Sequence, residues 1–316
     1  MTDFFERAQP VFDLYEQGNY AEALRLAEDL ALEFPDRRLH TSYWRLCLLA
    51  VSGRKEEALQ VMAEAVANGL WWAEGRLRDE PDVKDLQGDP EFERLISICA
   101  QRQAAAKGSA KPELLILEPG ASGQAPHPLL LVFHGRDGSA EREKHHWQLA
   151  RHLGWLTVLA QSSQIGSLNS YVWDDLEIAQ GEIREHFKTL QEKHKLDAGR
   201  IVLGGFSQGS TIALLAALRG DILATAFIAV APGRIVNPDD LPALAESARG
   251  RGLHGVIVAG GRDPRVDMFA RISETLSSQG VPCQLEVWPN LGHAYPPDFQ
   301  ELLETTLRSM QEKEQE

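Results

Sequence analysis

The sequence predicts two joined architectures: a segment of helix after helix, then an α/β domain built on a mostly parallel sheet with helices on both faces. Three observations predict this. In the first third of the chain apolar residues recur at spacings of three and four, as one face of a helix requires. A seven-residue pattern in that segment returns after 35 residues, from Gly18 to Gly53. From Leu114 onward the apolar residues gather instead into short runs between longer helical patterns. Such runs, apolar throughout rather than alternating, suit strands covered on both faces, and their alternation with helices builds a parallel sheet.

The helical segment is punctuated by glycine. Leu24, Ala27, Leu30 and Ala31 share one face, and Leu59, Met62, Ala63 and Val66 another. Gly18-Asn19-Tyr20-Ala21-Glu22-Ala23-Leu24 reappears as Gly53-Arg54-Lys55-Glu56-Glu57-Ala58-Leu59, and a period of this size marks a helix-turn-helix repeat. The spacing of Gly18, Ala23, Ala27 and Pro35 resembles the tetratricopeptide repeat. The second unit keeps Gly53, Ala58 and Ala65 but has Leu70 in place of the closing proline. A degenerate third unit is expected over Trp71–Ala100, with Asp89-Pro90-Glu91-Phe92 as a helix start. A helical hairpin without repeat ancestry is the alternative. Adjacent helix positions lie about 100° apart, so one face cannot easily cover both Trp71 and Trp72. These helices are therefore expected to pack against the following domain, a second copy or a protein partner. Gln101–Pro112 is small, polar and broken by glycine and proline, which suits a linker. The expected domains are 1–105 and 112–316, joined by 106–111.

In the second domain strands are expected at Leu114–Leu117, Leu129–Phe133, Leu156–Ala160, Ile201–Leu203, Ala226–Val230, Val256–Ala259 and Cys283–Val287. Between them, His145, His146 and His152 fall on a helix rich in Glu and Arg, read as a solvated face. His186 and His194 belong to a charged helix over about 175–195, and Ser210–Leu218 forms another. Asp239-Asp240 look like a helix start, and Asp267 lies inside a helix beginning near Pro264. His40, His127 and His254 are read as turn residues.

Charge and cysteine content narrow the function. The 316 residues carry 32 basic and 46 acidic side chains, a net of −14. A chain this acidic repels phosphate backbones and anionic lipid, so neither nucleic acid nor a membrane surface is expected as partner. No apolar run is long enough to cross a bilayer, and Met1–Pro10 lacks the apolar core of a secretory signal. Cys47, Cys99 and Cys283 are too scattered for a zinc cluster or disulfide framework. The expectation is a soluble, cytoplasmic protein with no metal and no cofactor.

One motif carries chemistry. Gly205-Phe206-Ser207-Gln208-Gly209 follows an apolar strand and opens a helix. A serine on such a turn has its hydroxyl lifted from the sheet at a helix N-terminus, where developing negative charge is favoured. The rival readings of Ser207 are a plain helix cap and a phosphate-binding turn. A serine nucleophile needs a base and a group to orient that base. His293, in the loop Asn290–Pro296 after the last strand, is the candidate base. Asp263, just beyond Val256–Ala259, lies at the carboxyl edge of the sheet and is the candidate orienting acid, the rival being a helix cap. The chain order Ser207, Asp263, His293 matches one fold class of triad hydrolases. An oxyanion hole is expected from the main-chain N–H of Gln208 and that of Arg136, with Gly135 as the competing donor. His134 is read as bracing that loop.

These motifs resemble the α/β-hydrolases, and are most similar to the phospholipase/carboxylesterase branch with its dienelactone-hydrolase-like relatives. The resemblance rests on His134-Gly135, the Gly205–Ser210 elbow, Asp263, Gly292-His293 and Trp173-Asp174 after Tyr171. Ser210 stands where that branch has glycine, and Arg136 where leucine is common. The resemblance implies a serine hydrolase acting on small-molecule esters or thioesters, with His134, Gly135, Trp173, Phe206 and Tyr295 lining the pocket. About 25 residues separate Val230 from Val256, too few for a lid domain, so an open, shallow pocket is expected. Arg136 is expected to favour anionic substrates unless it meets solvent or Asp137. Two alternatives stay open: a peptidase of the same fold acting on small peptides, and a helical adaptor carrying a vestigial hydrolase domain.

Overall fold

A computed structural model describes residues 4–120, 125–233 and 239–312, which divide into two units. The first comprises residues up to Ala110 together with Ile165–Ser170. Its helices are α1 (Phe4–Glu16), α2 (Tyr20–Glu33), α3 (Arg38–Val51), α4 (Lys55–Ala67), α5 (Glu74–Asp79) and α6 (Pro90–Lys107), with 3₁₀ turns at Pro35–Arg37 and Pro81–Leu86. The repeat in the sequence is a repeat in the backbone. Gly18 and Gly53 both adopt φ 73°, the left-handed conformation glycine tolerates best. Each closes its helix in the same way: Gly18 and Gly53 donate to Tyr15 and Ala50 at 2.9 Å, and the next N–H reaches Leu14 or Leu49 at 2.9 Å. The third unit departs from this, its first helix shrinking to the six residues of α5. Asp89 caps α6 as expected, accepting from the N–H of Glu91 at 2.9 Å and Phe92 at 3.3 Å.

Two expectations for this unit are corrected. Gln101–Lys107 is not linker but the end of α6, because the Ala104-Ala105-Ala106 run is strongly helix-forming and the glycine acts only at Gly108. His40 lies inside α3 rather than in a turn. Trp71 and Trp72 are both buried, and a strand from far along the sequence helps close the unit around them. This is β4 (Ile165–Ser167): Ala73 N–H donates to the Gly166 carbonyl at 2.8 Å, and Ser167 pairs with Trp72.

The second unit holds a seven-stranded sheet. Its strands are β1 (Glu113–Leu117), β2 (His127–Phe133), β3 (Leu156–Gln161), β6 (Leu196–Phe206), β7 (Ala226–Val230), β8 (His254–Gly260) and β9 (Cys283–Trp288), in the order β1-β3-β2-β6-β7-β8-β9. Only β1 runs antiparallel to its neighbour; the rest are parallel. His127 and His254 begin strands rather than sit in turns. A further short strand is β5 (Ser170–Tyr171). The helices are α7 (Ala140–Trp147), α8 (Leu149–His152), α9 (Leu176–Lys193), α10 (Gln208–Arg219), α11 (Leu241–Ala248), α12 (Val266–Ser278) and α13 (Phe299–Glu312).

Strand period two sorts the core into two layers. Leu129, Leu131 and Phe133 of β2 face a cluster with α9, α10, α11 and α12. Leu130 and Val132 face the opposite cluster with α7, α8 and α13. Both faces are dry, which is why these strands read as unbroken apolar runs. Between β7 and β8 the described chain forms α11, whose Leu241, Ala245 and Ala248 are buried. Residues 234–238 of that connection lie outside the described residues.

Candidate active site

The turn from β6 into α10 is built by exclusion. A Cβ on Gly205 would stand 2.5 Å from the Gly209 carbonyl carbon, and one on Gly209 only 2.1 Å from the Phe133 carbonyl oxygen. Neither position can hold a side chain, so the glycines are dictated by close backbone approach. Ser207 between them takes φ 52° and ψ −118°, a strained conformation for a non-glycine residue that costs about 1–3 kcal/mol. The strain is held by the main chain: Ser207 N–H donates to Val230 at 2.8 Å, and its carbonyl accepts from Gly233 N–H at 2.9 Å. Ser210, standing where glycine was expected, adds to this. Its hydroxyl lies 2.8 Å from the Ser207 carbonyl and 3.0 Å from that of Val230. The Ser207 side chain makes no helix-capping bond.

Three residues remote in sequence meet at this hydroxyl. His293 Nε2 lies 2.9 Å from Ser207 Oγ, and His293 Nδ1 lies 2.6 Å from Asp263 Oδ2. Asp263 also caps its own turn, accepting from Arg265 N–H at 3.0 Å. Burial pushes the Asp263 carboxyl up, but its bond to His293, the imidazole charge and Arg265 outweigh burial and bring it to about 2. Asp263 is therefore a carboxylate, and the proton between it and the imidazole sits on Nδ1. That leaves Nε2 as an acceptor facing the serine. Burial lowers the His293 pKa; the Asp263 bond works against this, and the Arg265 guanidinium, 2.7 Å from Nδ1, adds to it.

Opposite the elbow runs the loop after β2. His134 is fully buried there, stacked on Trp173 with ring centroids 4.9 Å apart. Its Nδ1 bonds the Gly135 carbonyl at 2.8 Å, while Nε2 accepts from Ser162 N–H at 3.3 Å. Burial drives its pKa down to about 4, so it is a neutral brace. Gly135 N–H is directed at Glu143 Oε1, 3.3 Å away, whereas Arg136 N–H has no acceptor among the described residues. The Arg136 side chain corrects its expectation. It meets neither solvent alone nor Asp137 but Asp174, which receives both Nη1 at 3.2 Å and Nη2. A carboxylate of the protein already fills the guanidinium fork, which removes the physical basis for a preference for anionic substrates.

Phe206 and Tyr295 stack with centroids 4.8 Å apart, and Phe206 lies 5.0 Å from the His293 ring. Sequence reasoning missed what holds Tyr295. Its hydroxyl donates to Glu143 Oε2 at 2.6 Å and accepts from the Trp147 indole at 2.9 Å. His146, expected on a solvated face, stacks on Tyr295 at 3.6 Å, and burial lowers its pKa to about 3. His186, on the charged helix α9, is likewise buried. Away from the elbow, Cys47, Glu80 and Asp82 bring a thiol and two carboxylates within 4.8 Å of one another. Tyr43 donates to Glu80 and Tyr15 to Asp82, both at 2.8 Å, and burial holds the Cys47 thiol far above its ordinary pKa. This group is a hydrogen-bonded cluster rather than a poised ligand set. Among the described residues no helix is long and apolar enough to cross a membrane.

Comparison with known proteins bears on the family and the fold. Residues 8–107 match the family model of the A/B hydrolase-like N-terminal domain, and residues 155–310 match that of Phospholipase/Carboxylesterase. An uncharacterized protein from Bacillus cereus is similar over 99% of this chain and 100% of its own, with 25% identity and a TM-score of 0.57. Est1E from Butyrivibrio proteoclasticus, solved with ferulic acid, is similar over 65% of this chain and 96% of its own at 17% identity and TM-score 0.51. Est2 from Thermogutta terrifontis, solved with propionate, covers 63% and 90% at 18% identity and TM-score 0.51. The last two likenesses speak to fold alone. No curated protein matches the sequence.

Proposed function

Because the chain belongs to the phospholipase/carboxylesterase branch of the α/β-hydrolases, an esterase-type family, we propose that it cleaves carboxylic esters or thioesters through an acyl-enzyme on Ser207. The observation that carries this reading is the unbroken line from Ser207 Oγ through His293 to the Asp263 carboxylate, with separations of 2.9 and 2.6 Å. Ser207 Oγ attacks the carbonyl carbon while His293 Nε2 takes its proton. The tetrahedral oxyanion forms at the N-terminus of α10, where the Gln208 N–H and the Arg136 N–H serve as donors. Collapse expels the alcohol or thiol, protonated by His293, and leaves the acyl group on Ser207. Water, activated by the same histidine, then releases the acid. Asp263 holds Nδ1–H and stabilises the imidazolium without itself taking the proton. The helical unit, with its tetratricopeptide-like hairpins, serves in this reading as an interaction domain.

Nothing in the site favours the adaptor alternative, since a vestigial domain has no need of a strained serine or a carboxylate held at about 2. The test is kinetic. Ser207→Ala and His293→Ala should each lower kcat for a short p-nitrophenyl ester by about 10⁵–10⁶-fold, and together by no more than either alone. Asp263→Asn should lose about 10⁴-fold, because the imidazole keeps its place but not its tautomer. Ser207→Ala retaining activity within tenfold of the parent would remove the assignment.

A further inference from the structure

We propose that Asp174 is the positioning residue of the oxyanion hole, a single carboxylate that clamps the side chains of both residues whose main-chain N–H groups serve as donors. The inference rests on the oxyanion assignment above. Asp174 Oδ1 accepts from Gln208 Nε2 at 2.8 Å, and the same carboxylate receives the Arg136 guanidinium through Nη1 and Nη2. Gln208 and Arg136 come from different segments, one opening α10 and the other in the loop after β2. No main-chain bond between those two residues fixes the distance between their N–H groups; the shared carboxylate does.

Its neighbour completes the arrangement. Trp173 N–H donates to Gln208 Oε1 at 2.9 Å, so the Gln208 amide is held at both ends by consecutive residues. The Trp173 indole donates to the His134 carbonyl at 3.0 Å, two residues before Arg136. Trp173-Asp174 thus grips the elbow and the loop at once. Gln208 and Trp173 are buried, but the Arg136–Asp174 arm is half exposed, 49% for each side chain.

That exposure separates a role in rate from a role in folding. Ion pairs open to water add little to stability. An oxyanion hole is far less forgiving, because losing one donor outright costs about 10²–10³-fold in kcat and small misplacements of reacting groups cost about 10²-fold. Asp174 should therefore act chiefly on kcat and leave substrate affinity nearly alone, with stability falling by no more than unpairing the buried Gln208 amide costs. The arrangement also explains why arginine stands at 136: a leucine there could not reach a carboxylate, and the loop would be held by its backbone only.

The experiment measures kcat and KM for p-nitrophenyl butyrate, and the Ki of a trifluoromethyl ketone, on the full chain. Ser207 Oγ adds to the carbonyl carbon of the free ketone as its proton passes to His293, and the resulting hemiketal oxygen sits where the oxyanion forms. Asp174→Ala should lower kcat by about 30- to 300-fold with KM within threefold, and raise the ketone Ki by a similar factor. Asp174→Asn, which keeps an acceptor for Gln208 but no charge for Arg136, should fall between. Arg136→Met should lose less than Asp174→Ala, and the double variant should be no worse than Asp174→Ala. Asp174→Ala at parental kcat and Ki would overturn the clamp, as would a loss confined to KM. Should Asp174→Ala fail to fold, Asp174→Asn at parental kcat and Ki overturns it equally. Ser207→Ala separates the two readings: if it is inactive while Asp174→Ala is at the parental rate, the clamp alone is wrong, whereas an active Ser207→Ala removes the site itself.

Discussion

His293 is the residue on which the chemistry turns, and its surroundings set the pH at which it works. It must be neutral to accept the serine proton, so kcat/KM should rise with pH through a single group. Burial lowers that group below the ordinary histidine value of about 6.5, and the Arg265 charge opposes the carboxylate that would otherwise raise it. The rise should thus have its midpoint below about 6.5. A midpoint above 7, with acylation limiting, would contradict this electrostatic account. Ser207, Asp263 and His293 were legible in the sequence because each sits at a local landmark: a glycine-flanked elbow, a strand end, a loop before the last helix. Glu143 and Arg265 were not, and Asp174 stood out only as part of the Trp173-Asp174 resemblance, with no role attached. Glu143 meets Tyr295 across 152 residues, and no local pattern records such a partner. His146 misled for a related reason, since its helix is polar on average while the ring itself stacks on Tyr295.

At the scale of elements, the inner strands of the large sheet lie where apolar runs put them, because burial on both faces leaves little room for polar residues, whereas the edge strand β9 is only partly buried and carries Gln284 and Glu286. The two short strands left no such mark. Three residues in β4 and two in β5 are too few to show a period, and β4 completes a unit that its sequence neighbours do not belong to. The end of α6 is masked in the sequence by the glycine and proline that follow it, although the alanines before them carry the helix on to Lys107. Glycine itself separates packing from propensity. Gly209→Ala puts a Cβ 2.1 Å from a main-chain oxygen, which cannot yield, so the variant should lose more than about 4 kcal/mol or fail to fold. Gly181 lies exposed in α9 with nothing within 4 Å of an added Cβ. Gly181→Ala should stabilise by about 0.5–1 kcal/mol. Urea melts of both would test the elbow, and a Gly209→Ala variant of parental stability would refute the close approach.

For the whole molecule, acid should be the effective denaturant. Burial holds His134 at about 4 and His146 at about 3, and lowers His186 as well. All three lie below the unfolded value of about 6.5, so the unfolded chain takes up protons first as pH falls. Their contribution is fully present above about 6.5 and shrinks toward the folded values, each histidine adding up to about 1.4 kcal/mol per pH unit. Asp263 acts in the same direction lower down, its contribution present above about 3.9 and lost as pH falls through about 2. Unfolding free energy should therefore drop from pH 7 to pH 5, and a flat or rising profile would show that these rings are not neutral in the fold. The central claim, that one serine in the full chain is a nucleophile poised by His293 and Asp263, is tested most directly by a fluorophosphonate probe followed by peptide mass mapping. The account predicts a single phosphonyl adduct, on Ser207, formed in step with loss of ester hydrolysis and absent from His293→Ala on the same timescale. An adduct on another residue, or full hydrolysis with Ser207 unlabelled, would contradict it.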